Sequence, residues 1–201
     1  MFLDLETCGF SGNPLFLVGA VLAGGGRARA VQLLARNYAE EASVIEAALG
    51  LFRGRPLLVT FNGKAYDLPF LRDRACRHGM RVVEPAGHLD LLHAARRRWR
   101  GGLPDCRLAT LERRLLGVVR ADDLPGREVP ERYHAFVRGA GSPAPILRHN
   151  LTDLATLISI LALLHRPPAA PRLTVPTPPA TVRGLPPQGN RARSPLANQE
   201  G

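Results

Sequence analysis

Two acidic residues near the start, Asp4 and Glu6, are separated by a single leucine, and the stretch Met1–Leu5 reads as a strand. Residues two apart on a strand point to the same side of the sheet, so both carboxylates share one face while Met1, Leu3 and Leu5 take the other. Two carboxylates about 6–7 Å apart along a strand repel each other unless a cation or protons relieve them. Hard divalent ions such as Mg²⁺ and Mn²⁺ prefer oxygen ligands and supply that relief. Two further acids extend the pattern. Asp67 follows Thr60-Phe61-Asn62-Gly63-Lys64-Ala65-Tyr66, where an apolar run empties into a turn and a helix begins. Asp153 follows His149 by four residues on the last helix, so the two share one helical face. Singly, each has a plainer explanation: an edge pair in water, a helix cap at Asp67, a polar helix face at His149.

The elements that must position these groups alternate. Leu15–Leu22 reads as a second strand and Arg29–Leu34 as a third, after the turn Gly24-Gly25-Gly26. Glu40–Phe52 has helical spacing through Val44, Ile45, Ala48 and Leu51. Leu57–Phe61 reads as a buried strand, followed by helices over Asp67–His78, Leu108–Leu116 and Val129–Arg138. The last helix is capped by Ser142, carries Pro143 in its first turn, and sets Leu147, Leu151, Leu154, Ile158 and Leu161 as one apolar stripe. Three strands in succession and then strand–helix alternation predict an α/β fold: a mixed central sheet, antiparallel first and parallel after, flanked by helices.

Length and composition bound the rest. The chain has 201 residues, 45% hydrophobic and 22% charged, which suits one globular domain with an added segment. That domain is placed at 1–165. From Arg166 to 201 the chain is dense in proline and holds five arginines against one glutamate, which predicts a disordered tail. The formal charge is +10, of which the tail carries +4, and arginine supplies nearly all of it, with Lys64 the one lysine. A basic balance favours a polyanionic partner electrostatically, although codon bias toward arginine gives the same composition. No apolar run reads as a membrane span and the start lacks the regions of a signal peptide, so the expectation is a cytoplasmic protein with no membrane partner. Cys8, Cys76 and Cys106 form no CxxC pair, which argues against a disulfide framework or thiolate zinc.

With Phe2-Leu3-Asp4-Leu5-Glu6-Thr7, Thr60-Phe61-Asn62-Gly63-Lys64 through Asp67, His88-Leu89-Asp90-Leu91-Leu92-His93, Asp122-Asp123-Leu124-Pro125-Gly126 and His149-Asn150 with Asp153 in this order, the sequence resembles the DEDD (DnaQ-like) 3′–5′ exonuclease superfamily of the ribonuclease H-like fold, and within it the bacterial YprB-like branch. The resemblance spans about residues 1–165. It implies that Asp4, Glu6, Asp67 and Asp153 hold two divalent metal ions, Mg²⁺ or Mn²⁺, with Asp4 bridging both, and that His149 orients or deprotonates the attacking water. The four-residue spacing from His149 to Asp153 resembles the family's tyrosine-type pattern carrying a histidine. Family members carry residues upstream of the first strand, so a chain starting at Met1 is read as truncated or mis-started, with a first strand prone to fray.

Thr7, Asn62, Lys64, Arg97 and Trp99 are the candidates for contacting a nucleic-acid strand. Arg96, Arg97, Arg98 and Arg100 surround Trp99, which suits phosphate contact and base stacking; a basic helix face with one buried tryptophan explains the run equally well. His88, Asp90 and His93 could hold zinc, but a structural role is preferred. The expected activity is 3′→5′ exonucleolytic hydrolysis at single-stranded ends, with no small-molecule cofactor. The rivals are a nucleic-acid-binding module of the same fold with little turnover and a structure-specific endonuclease.

Overall fold

The computed structural model describes residues 1–10, 12–120 and 124–166. Five strands form one sheet: β1 (Phe2–Thr7), β2 (Leu15–Gly24), β3 (Arg27–Leu34), β4 (Leu57–Thr60) and β5 (Gly87–Asp90), in the order β3-β2-β1-β4-β5. The first three pair antiparallel, while β1, β4 and β5 run parallel. The β2–β3 hairpin closes with Gly24 opposite Arg27. Gly25 and Gly26 between them take φ of +58° and +74°, the left-handed pair that a two-residue hairpin demands and glycine accepts without strain. β2 lies inside the sheet and is buried from Leu15 to Leu22, whereas β3 at the edge exposes Arg27 and Arg29, charges that discourage further strand addition.

Helices α1 (Glu41–Phe52), α2 (Asp67–Arg77), α3 (Leu91–Trp99), α4 (Leu108–Leu111, continuing into a wide π-type turn over Glu112–Leu116), α5 (Val129–Val137) and α6 (Ala144–His165) cover the sheet. Successive residues of β1 face opposite layers. Leu3 and Leu5 join Ile45 and Phe52 of α1, Leu71 of α2 and Tyr133 of α5. Phe2 joins Val21, Val59, Leu91 and Ala95 of α3, and Leu154, Leu157 and Ile160 of α6. Asp4 and Glu6 therefore share the Phe2 face, the one α6 covers.

The first strand is not frayed. Its six residues are paired along β2, the terminal ammonium of Met1 donates to Leu57 O at 2.6 Å, and Val59 N donates to Met1 O at 2.8 Å. Backbone partners on both sides hold β1 from its first residue.

Three further expectations are corrected. β5 and α3 were not assigned: Gly87–Asp90 is only four residues long and has little apolar alternation. The apolar stripe of α6 is rotated from the expected one, with Ile146, Leu154, Leu157 and Ile160 buried while Leu151 and Ile158 are exposed. Asn150 occupies the position in that stripe where a leucine would be expected. By length and composition alone α6 is long and apolar enough to cross a membrane, a test that the core helix of a globular domain also passes. Here it packs on β1, β2 and α3. Ser142 accepts from Ala144 N at 3.2 Å but stands two residues before the helix, whose N-cap position is Pro143 rather than the expected Ser142. The tail from 167 to 201 and the Asp122-Asp123 pair lie outside the described residues.

A buried ion pair ties α2 to the rest. The carboxylate of Glu41, 3% exposed, accepts from Arg74 Nε at 2.6 Å and from Leu15 N at 2.7 Å, and His78 Nε2 lies 3.0 Å away. Removing one partner strands the guanidinium of Arg74 and an N–H of β2 without water. Glu41→Ala is therefore expected to destabilise the fold by about 3 kcal/mol in urea melts.

Candidate active site

β4 and β5 end together at Thr60 and Asp90 while β1 runs on to Thr7, and Asp4 and Glu6 lie on this overhang, on the C-terminal side where open α/β sheets bind ligands. β1 and β4 pair only through Phe2 and Val59 and then separate, which leaves Leu5 N facing the gap. Asp67, at the start of α2 and 6% exposed, fills it: its Oδ1 accepts from Leu5 N at 3.2 Å. This aspartate is not the helix cap, a position that Tyr66 takes, and its side chain reaches instead the backbone between Asp4 and Glu6.

Asp4 is partly buried beneath α6, and its carboxyl is pushed well above the usual range. Burial is the main cause, followed by the charges of Glu6, Asp153 and Asp67, against a hydrogen bond from Asn150. Asp67 is raised to about 7, chiefly by burial, with Asp90 adding to the effect and hydrogen bonds from its own N–H and from Leu5 opposing it. Asp153 is raised by burial against the opposing charges of His149 and Arg120. The charges of Glu6, Asp153 and Asp67 thus all act on the carboxyl of Asp4, while Asp153 is itself offset by Arg120 and His149.

Their side chains are individually engaged. Arg120 donates to Asp153 Oδ1 and also holds the buried Glu112, donating from Nε to Oε2 at 2.8 Å, while Thr156 donates to the other oxygen of Glu112. Among the described residues, no three His, Cys, Asp or Glu side chains are gathered closely enough to hold a metal ion. The donor set nevertheless fits hard divalent cations in type, since Asp4, Glu6, Asp67 and Asp153 all offer carboxylate oxygens. His149 stands beside Asp153, Nε2 to Oδ2 3.6 Å, with both side chains 12–15% exposed. They line a cleft of about 290 Å³ with Leu108, Arg120, Leu124 and Gly126.

The turn before α2 is fixed from β5. Asp90, 3% exposed, accepts from Asn62 N at 2.8 Å, Lys64 N at 3.1 Å and Leu92 N at 3.0 Å. Asn62 takes φ of +63°, and a Cβ on Gly63 would lie 2.5 Å from Cβ of Thr60, so the turn tolerates little else. Asn62 and Lys64 are exposed there. Asp90→Ala would orphan three N–H groups, and an expected loss of about 2 kcal/mol is readable by thermal melting.

The remaining strand-binding candidates are placed differently. Thr7 is buried, with its hydroxyl donating to Gly9 O at 2.7 Å and lying 2.9 Å from Tyr66 Oη. Trp99 is half-buried against the α3–α6 layer with Arg98 5.9 Å from its ring centroid, while Arg97 is exposed. Of the possible zinc trio, His88 bonds to Thr60 Oγ1 at 2.8 Å, Asp90 serves the turn, and His93 is 53% exposed in its side chain.

Asn150, Arg120 and Glu112 were not foreseen as site residues. Asn150 adjoins His149, and Gly19 interrupts the apolar run of β2, which is a signal that something must approach β2 closely. Glu112 sits beside Leu111 in a segment read as helical, and burial of an acid there has no sequence signature.

A model of the RNase H superfamily matches residues 1–165. Protein YprB of Bacillus subtilis, itself uncharacterised, is 34% identical over 167 residues, covering 79% of this chain and 40% of YprB. The chain thus corresponds to less than half of that relative's length. The family B DNA polymerase of the archaeon Pyrobaculum calidifontis matches in fold, with a TM-score of 0.62 and 18% identity over 81% of this chain and 24% of the polymerase. On the fold, the arrangement of the acids and these matches, the chain belongs to the RNase H superfamily as a YprB-like ribonuclease H-like domain.

Proposed function

We propose that the domain is a metal-dependent nuclease, acting as a 3′→5′ exonuclease on single-stranded ends of DNA or RNA, in the cytoplasm. The observation that carries this reading is that the charges of Glu6, Asp153 and Asp67 all act on the carboxyl of Asp4, with His149 beside Asp153. Superfamily membership supports nucleic acid as the substrate class, and the structural neighbour is a polymerase of DNA. Asp4, Glu6, Asp67 and Asp153 would hold divalent ions, which when bound lower the pKa of water and offset charge on the phosphate. His149, oriented by Asp153, would accept the proton of the attacking water. Lys64 and Asn62, presented by the turn that Asp90 fixes, and Arg97 on α3 would contact the phosphates of the strand.

A second reading, a binding module without turnover, is favoured by the engagement of Asp153 with Arg120. End-labelled DNA and RNA oligonucleotides with Mg²⁺ or Mn²⁺ separate the two. The nuclease reading expects 5′-labelled strands to shorten stepwise from the 3′ end, with His149→Ala slowed about 10²-fold. Binding with no shortening in either metal contradicts it.

A further inference from the structure

Asn150 is fully buried in α6, yet it carries a polar amide into the apolar layer over β1. Its Nδ2 donates to Asp4 Oδ2 at 2.8 Å, and its Oδ1 accepts from Gln32 Nε2 of β3 at 2.9 Å. Gln32 Nε2 also donates to Leu147 O at 2.8 Å. This last bond sets the polarity of the whole chain. A backbone carbonyl only accepts, so Gln32 must turn its amide nitrogen toward α6. Asn150 must then present oxygen to Gln32, and the one orientation left points its NH₂ at the carboxylate of Asp4.

The sheet makes room for this contact. Gly19 pairs with Asp4 across β1 and β2, and a Cβ on Gly19 would lie 2.0 Å from Asn150 Oδ1. No larger residue fits while Asn150 keeps its place. A bare backbone in the middle of a buried strand, an amide in the position of a core leucine and a glutamine on the edge strand thus serve one contact.

On the reading that Asp4 is a metal ligand, we infer that Asn150 is a positioning residue that fixes which oxygen of Asp4 is left for the cation. The donor occupies Oδ2 with a neutral group, so it orients the carboxylate without discharging it, and the Gln32–Leu147 link prevents the amide from flipping. Partners of metal-binding carboxylates affect affinity by about 10- to 100-fold. The loss should therefore fall on metal affinity, with turnover at saturating metal largely kept.

Free Mn²⁺, followed by its paramagnetic resonance signal while the full chain is titrated, reads this without an activity assay. Asn150→Ala is expected to weaken Mn²⁺ binding by about 10-fold or more, and Gln32→Met, which leaves Asn150 in place but unanchored, by a smaller factor in the same direction. In the nuclease assay the Mn²⁺ concentration for half-maximal rate should rise in parallel while kcat at saturation stays within about threefold. Should Asn150→Ala fail to fold, Gln32→Met carries the test, and wild-type affinity in that variant overturns the proposal. Wild-type Mn²⁺ affinity in a folded Asn150→Ala also overturns it, with the nuclease reading intact. No Mn²⁺ binding by the wild-type chain overturns both.

Discussion

Asp4→Asn is expected to abolish nuclease activity, by roughly 10³-fold or more, while making the metal-free protein more stable. The two effects have one cause. Asp4 is raised well above the normal carboxyl range by burial and by the charges of Glu6, Asp153 and Asp67, so its ionised form opposes folding. Asparagine keeps an oxygen that can accept the 2.8 Å hydrogen bond from Asn150 and removes the charge. Relief of even 1 kcal/mol raises the midpoint of a domain this size by about 2–4 °C. Saturating Mg²⁺ should stabilise the wild type and leave the variant unchanged, because ligand that binds only the folded state raises its stability by mass action. A variant that loses activity and stability together would instead place Asp4 among ordinary structural residues.

The second large effect is a stability that falls as pH rises. Asp67 keeps its proton to about 7 in the folded chain and to about 3.9 when unfolded. Between those values the folded state binds more protons, so linkage makes stability decline with pH across that window. A carboxyl shifted so far costs the fold on the order of 4 kcal/mol once it is ionised. Asp4 and Asp153, both raised, act with the same sign. His88 acts oppositely, since burial lowers its pKa and the fold loses stability as it becomes charged at lower pH. Urea melts of wild type and Asp67→Asn in EDTA between pH 4 and 8 isolate the aspartate. The expected difference grows toward neutral pH in favour of the variant, and saturating Mn²⁺ removes the wild type's decline. A gap that is constant with pH would contradict the assignment of Asp67 to a charge-strained site.

Much of this architecture was legible in the sequence for reasons that are local. β2 and β3 announce themselves by apolar length and a glycine turn, and α2 by the turn residues that precede Asp67. The relation of Asp4 to Glu6 needs only the period of a strand. What was not legible depends on contacts made across the fold. β5 is short and owes its place to pairing with β4 and to Asp90, whose three acceptor contacts are with backbone groups remote in sequence or just beyond it. α6 offers apolar residues on several faces, so periodicity alone picked a stripe through Leu151 and Ile158, both exposed. The true phase is set by Asn150 reaching Asp4 over Gly19, a polar contact that a count of apolar positions treats as an error. Arg120 and Glu112 escape for a similar reason, since a buried ion pair needs two segments that the sequence does not show to be adjacent.

The claim under all of this is that four dispersed carboxylates share divalent cations. Crystals of the full chain grown with Mn²⁺ and measured at the manganese edge test it most directly through anomalous scattering. The account predicts two peaks about 4 Å apart, within ligand distance of Asp4, Glu6, Asp67 and Asp153, with Asp153 released from Arg120. No peak at these acids at saturating Mn²⁺, or peaks only at His88, Asp90 and His93, would contradict it.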